Sequence, residues 1–177
     1  MGVAGAGKSM QGKLLADEHG YAWVSTGEIL RVLVTGKRRQ EMLQGKLLSD
    51  DEMMNILDKV FDLIDTTQEF VLDGFPRTVA QADWLLKRAA QGSFKVSAVV
   101  HLKASEAIVK QRLINRGRMD DTDEAIAKRF NEYKTVTLPI IEHFYKVGVH
   151  VYDIDASESA RAVHDQIVEC IDAGNGH

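Results

Sequence analysis

The sequence predicts an α/β fold with a parallel central sheet, and three features predict it. Short β-rich runs alternate with longer amphipathic stretches. Two of those runs, Phe70-Val71-Leu72 and Ala98-Val99-Val100, are apolar throughout, as strands covered on both faces are. A glycine-rich segment ending in Lys8-Ser9 opens directly into a helical pattern. The 177 residues suit a single domain, 1–177, and an apolar fraction of 45% supplies its core.

In order along the chain, strands are predicted at 21–25, 69–73, 97–103 and 150–155. Helices are predicted at 9–19, 50–66, 79–90, 106–116, 123–147 and 157–173, with a further helix opened by the polar turn Ser25-Thr26-Gly27. Met53, Met54, Leu57, Val60, Phe61 and Ile64 recur at helical spacing and read as a core stripe. The last four residues, 174–177, are expected to fray. Strand–helix alternation implies right-handed crossovers, which put ligands at the carboxyl ends of the strands.

Composition narrows the function. A net charge of −4 argues against a general nucleic-acid binder, so an anionic ligand has to be met by a local cluster of arginine and lysine. One cysteine, Cys170, permits neither an intrachain disulfide nor a cysteine-rich metal site. No apolar run is long enough to span a membrane, and no leader precedes the first motif, so a cytoplasmic location is expected. The histidines His19, His101, His143, His150, His164 and His177 form no nucleophile or metal pattern and read as core or surface residues.

Gly2-Val3-Ala4-Gly5-Ala6-Gly7-Lys8-Ser9 fits G-x-x-x-x-G-K-[ST]. Glycines let backbone N–H groups turn inward around phosphate oxygens, and the helix that follows aims its N-terminus at the same anion. Lys8 is then expected to reach the β- and γ-phosphates, and the Ser9 hydroxyl to ligate Mg²⁺. The motif points to a nucleoside triphosphate and says little about the acceptor. It ordinarily follows a buried strand, whereas only Met1 stands in front of it, so marginal stability is expected.

Three further segments carry chemistry. Asp73 ends a buried run, where a lone carboxylate is costly without a cationic or metal partner. Gly74-Phe75-Pro76 then makes a stiff turn in front of Arg77, and Gln81 offers both a donor and an acceptor. Ser25-Thr26-Gly27 is read on its own as an ordinary helix cap. Arg112 and Arg116 share a helix face, Arg118 follows Gly117 at once, and Arg129 comes after Asp120-Asp121. Cations crowded in this way repel, and a shared anion relieves them. Lys37-Arg38-Arg39 reads as a solvated face.

Gly2–Ser9, 25–31, 73–81 and 116–121 together resemble the adenylate kinase family, in order and over nearly the whole chain. The resemblance implies a P-loop NTPase three-layer sandwich with a small NMP-binding excursion at 25–54 and a very short lid at 112–130. It implies that Gly5, Ala6, Gly7, Lys8, Ser9, Met10, Arg112 and Arg116 bind ATP, with Arg112 stacked on the base. It also implies that Thr26, Arg31, Leu48, Gly74, Arg77, Gln81, Arg118 and Arg129 bind AMP, the backbone near Leu48 and the Gln81 amide meeting the adenine. The catalytic set it implies is Lys8, Asp73, Arg77, Arg118 and Arg129, with Ser9 and, through water, Asp73 serving Mg²⁺.

Thr26 with Gln81 is the adenylate pattern, whereas relatives directed to pyrimidines tend to carry Ala and Asn there. The expected reaction is ATP + AMP = 2 ADP, by a monomer with no nucleic-acid or membrane partner. Zinc is not expected, because the lid has no cysteine-bearing hairpin. Three departures from the family pattern stand out: Glu28 where Asp is commoner, and Ser9-Met10 where Gly-Thr is usual. Gly7-Lys8-Ser9 also suits a small-metabolite kinase acting on gluconate or shikimate, and Met10 suits a nucleotide-binding relic with little turnover.

Overall fold

Four strands form where they are expected, and each described ladder is parallel. The computed structural model describes residues 1–36, 48–116 and 122–175. Its elements are α1 (Lys8–His19), β1 (Ala22–Ser25), α2 (Thr26–Leu33), α3 (Asp50–Phe61), β2 (Phe70–Asp73), α4 (Val79–Ala90) and β3 (Val99–Lys103). There follow α5 (Glu106–Arg116), α6 (Asp123–Glu132), a π-helical turn (Tyr133–Thr137), α7 (Leu138–Lys146), β4 (Val151–Asp155) and α8 (Ala160–Asn175).

β1 pairs with β2 from Ala22↔Phe70 to Ser25↔Asp73, and β3 pairs with β4 from Val99↔Val151 to Lys103↔Asp155. On the opposite edge of β3 the backbone of Met1–Val3 runs parallel to it. Gly2 bridges Leu102, and Leu102 N donates to Met1 O at 2.9 Å. The registers bring Ser25 and Asp73 side by side at one pair of carboxyl ends, and Lys103 and Asp155 at the other.

Apolar packing fixes the helices to these strands. Val3 and Ala6 of the glycine-rich segment are buried in one cluster with Leu15 of α1, Leu102 of β3, and Val109 and Leu113 of α5. A second cluster joins Val24, Leu30, Leu57, Phe61, Phe75 and Leu85. At about 25 cal/mol per Å² of buried apolar surface, side chains of this size each contribute on the order of 2 kcal/mol. No described helix is long and apolar enough to cross a membrane.

Three predicted helix boundaries move, each for a local reason. The helix expected at 50–66 ends at Phe61, because Asp65 Oδ1 accepts from Thr67 N at 3.0 Å and closes a turn that competes with the helix. The helix expected from 157 starts at Ala160. Asp155 Oδ1 accepts from Ser157 N, and the Ser159 hydroxyl accepts from Ala162 N at 3.2 Å as the cap. The long helix expected at 123–147 is divided by the π-helical turn. Pro139 has no N–H for the Thr135 carbonyl, and in a regular helix its ring would press on that carbonyl. The wider turn falls at this point.

Candidate active site

The glycine-rich segment turns into α1 through Gly7, whose φ of 96° lies in the left-handed region. Gly5 sits close against α5, since a Cβ there would lie 3.0 Å from both Val109 and Leu113. Ala6 is buried at the base of the loop, while Ser9 and Met10 are exposed on the first turn of α1. Lys8 Nζ donates to Val3 O at 2.9 Å, which folds the side chain back over the loop. Burial lowers the Lys8 pKa to about 8; Asp73 opposes the shift and Arg77 adds to it.

The segment expected to meet the acceptor is built on the end of β2. Asp73 receives a long 3.4 Å contact from the Ser25 hydroxyl, and its carbonyl accepts from Thr26 Oγ1 at 3.2 Å. Thr26 is 1% exposed and opens α2. Gly74 follows with φ 83°, and a Cβ there would stand 2.5 Å from Thr26 Oγ1, so only glycine fits the turn. The Phe75–Pro76 peptide is cis. Arg77 Nε donates back to Gly74 O at 2.8 Å, and Arg77 N donates to Gln81 Oε1 at 2.7 Å. Arg77 is exposed overall, and partial desolvation lowers its pKa against the pull of Asp73. Lys8, Asp73 and Arg77 are thus electrostatic neighbours, two cations to one carboxylate, an imbalance suited to an anion.

Gln81 is 4% exposed, with both ends of its amide engaged: Oε1 by Arg77 N, and Nε2 by Asp50 Oδ1 at 2.8 Å. Asp50 also accepts from Thr78 Oγ1, and Thr78 caps α4 through Gln81 N. To meet a base, the Gln81 amide has to exchange these bonds. Asp50 has no motif of its own; it reads simply as the start of α3 after the Ser49 capping box, and only the fold places it on α4.

Among the described residues, Arg31 and Arg112 each engage local partners. Arg31 is exposed and forms a close pair with Glu28 within α2, Nη2 to Oε1 at 2.5 Å, so the Glu at position 28 competes directly for that guanidinium. Arg112 donates to the carbonyls of Ala156, Ser157 and Glu158 at 2.6, 3.3 and 3.0 Å, clasping the loop between β4 and α8. Arg129 is half-buried on α6, and Leu48 packs on the second cluster. Arg116 closes α5. Arg118, Asp120 and Asp121, and with them Lys37-Arg38-Arg39 and 44–47, lie outside the described residues.

Among the described residues no three His, Cys, Asp or Glu side chains converge on a metal position. Ser9 and Asp73 offer hydroxyl and carboxylate oxygen, a donor set that suits a hard, largely hydrated Mg²⁺. A separate cavity of about 520 Å³ opens at the carboxyl ends of β3 and β4, lined by Lys103, Ala104, Ser105, Tyr133, Asp153, Asp155 and Ser157. No residue of the phosphate loop or the acceptor side lines it.

The sequence pattern of the family described as Adenylate kinase matches residues 1–149. The chain belongs to the adenylate kinase family. An adenylate kinase of Rhizobium meliloti (strain 1021) is 37% identical over 164 residues, covering 84% of this chain and 85% of that protein. An adenylate kinase of Corynebacterium urealyticum is 32% identical, with 97% of each chain covered, and one of Rhodopirellula baltica is 35% identical, covering 97% of this chain and 92% of its own. Membership makes the protein a nucleoside monophosphate phosphotransferase on a P-loop α/β scaffold. The shared Gly7-Lys8-Ser9 spelling then carries no weight for a gluconate- or shikimate-type kinase.

Proposed function

We infer that this chain catalyses reversible, Mg²⁺-dependent transfer of the ATP γ-phosphoryl to AMP, giving two ADP. The carrying observation is that Lys8, Asp73 and Arg77 lie within electrostatic reach of one another, beside a glycine-turned loop that leads into α1 and a Gly74 turn that holds Arg77 at the end of β2. Backbone N–H groups of Gly5, Ala6, Gly7 and Ser9 take the donor phosphates, with Lys8 at their far end. Arg77 and Arg31 take the AMP phosphate, while Thr26, Leu48 and Gln81 take its base. Arg118 and Arg129 neutralise the transferring group, and Arg112 and Arg116 hold the donor. Ser9 and, through water, Asp73 would hold Mg²⁺, which supplies charge neutralisation at the β- and γ-oxygens.

An oxygen of the AMP phosphate forms the new bond to the γ-phosphorus as the bond to the departing ADP oxygen breaks. That oxygen is already anionic, so no general base is required. Residues 25–54 and 112–130 serve as the acceptor-binding excursion and the lid, closing over both nucleotides to exclude water. Small nucleotides are the partners this reading requires. The monomeric state and cytoplasmic location are part of it, the latter consistent with a free Cys170 in a reducing compartment.

An ADP-release assay with AMP, UMP, CMP and gluconate as acceptors tests the reading. Turnover should be fastest with AMP; activity confined to gluconate would end it. A second expectation concerns protons. Lys8 is held near pKa 8 in the nucleotide-free site, and a bound polyphosphate supplies the counter-charge that raises it. ATP binding at pH 8 should therefore take up about half a proton. Calorimetric titrations in buffers of different ionisation enthalpy measure the uptake, and a buffer-independent enthalpy at that pH would contradict it.

A further inference from the structure

The imidazole of His101 takes no part in that scheme, yet it is 4% exposed and bonded at both nitrogens. Nδ1 lies 2.7 Å from Oδ1 of Asp153, its register partner on β4, and Nε2 lies 2.7 Å from the Tyr133 hydroxyl. Asp153 Oδ2 also accepts from Lys103 Nζ at 3.3 Å. With the carboxylate fixed as an acceptor, one tautomer satisfies every atom: Nδ1–H donates to Asp153, and the Tyr133 O–H donates to Nε2. Burial lowers the His101 pKa; Asp153 opposes it, and the N-terminal amine and Lys103 add to the lowering, so the neutral ring this arrangement needs is favoured.

Tyr133 is the first residue of the π-helical turn, and its carbonyl accepts from Leu138 N. One extra residue in a turn rotates the helix beyond it by about 100° relative to the helix before it. This rephasing sits between α6, which buries Ile126 and Phe130, and α7, which buries Ile140, Ile141 and Phe144. Arg129 precedes Tyr133 by four residues, so the two share one stripe of the helix. Tyr133 and Asp153 both line the 520 Å³ cavity, so packing leaves that side of the ring open and the hydrogen bond fixes it there.

We propose that the Asp153–His101–Tyr133 hydrogen-bond series makes Tyr133 a positioning residue for phosphoryl transfer, anchoring α6 to the sheet in the rotation that presents Arg129 to the moving phosphate. The proposal rests on the role given to Arg129 above. Tyr133→Phe removes one hydroxyl and keeps the ring. It should lower kcat about 10-fold, because small misplacements of a charge-stabilising group are costly, while both nucleotide KM values stay within about 2-fold. Thermal melts of the variants establish that they are folded.

A double-mutant cycle decides the case. On an Arg129→Ala background, Tyr133→Phe should cost nothing further. Independent, multiplicative losses would overturn the proposal, and so would an unchanged kcat in Tyr133→Phe alone. Arg129→Ala with full activity would instead remove the role assigned to Arg129, and this inference with it. The pair His101→Gln and His101→Asn separates the two ends of the series. The longer amide reaches the Nε2 position facing Tyr133 and should retain most of kcat, whereas the shorter one reaches only Asp153 and should reproduce the Tyr133→Phe loss. Equal kcat in the two would also overturn the proposal.

Discussion

Arg77→Ala should lower AMP-dependent turnover by about 10³-fold, the scale seen when one preorganised donor to a phosphoryl or oxyanion site is removed. The side chain is fixed before any substrate arrives: its Nε is tied to Gly74 O at 2.8 Å, and its own N–H to Gln81 Oε1 at 2.7 Å. Among the described residues no hydrogen bond engages its Nη atoms, which leaves the planar edge that matches two phosphate oxygens. This guanidinium keeps an exposed surface, and one carboxylate, Asp73, is the counter-charge to both it and Lys8. A phosphate therefore completes the charge balance instead of disturbing it.

Arg77→Lys keeps the charge and loses the fork, so it should recover only part of the rate. Steady-state kinetics with AMP varied at saturating ATP measure both variants. Wild-type kinetics in Arg77→Ala would contradict the placement of the acceptor phosphate at the end of β2.

What was legible in the sequence is local. Continuous apolar runs marked β2 and β3, and glycine spacing followed by Lys8 marked the turn into α1, because strand burial and left-handed turns leave composition signals within a few residues. Asp73 was legible as a carboxylate that needed partners, since it ends an apolar run, which the fold leaves half-buried. What stayed hidden depends on registers between distant elements. Asp50 meets Gln81 across 31 positions, His101 meets Asp153 across 52, and Arg112 meets Ala156 across 44. No periodicity records such pairs. The π-helical turn stands apart: a helix predicted unbroken over 123–147 already places Pro139 in its interior, against the Thr135 carbonyl, but nothing in the sequence says whether the helix there kinks, ends or widens.

The same electrostatics predict that Lys8→Met will lose function and gain stability together. Activity should fall by about 10³-fold or more, because the proposed function assigns this ammonium to the β- and γ-phosphates. The apo protein, however, bears that ammonium at a cost. A folded-state pKa of about 8 against 10.5 for an ordinary lysine means that the unfolded chain holds the proton more tightly throughout that window. The wild-type protein is therefore penalised in full below pH 8, and the penalty shrinks as pH rises through the window and is gone above 10.5. Methionine has a similar length and no charge, so it removes the penalty and gives up only the 2.9 Å bond to Val3 O.

Urea denaturation at pH 7 should show Lys8→Met more stable than wild type by up to about 3 kcal/mol, a ceiling set by the size of the shift. The difference should vanish near pH 10.5. Saturating ATP should reverse the order at pH 7, since only the wild-type protein binds it tightly and is stabilised by mass action. A variant less stable than wild type at pH 7 without nucleotide would mean that Lys8 supports the fold. The site would then not be one in which a desolvated cation is held at the expense of stability for the phosphates it awaits.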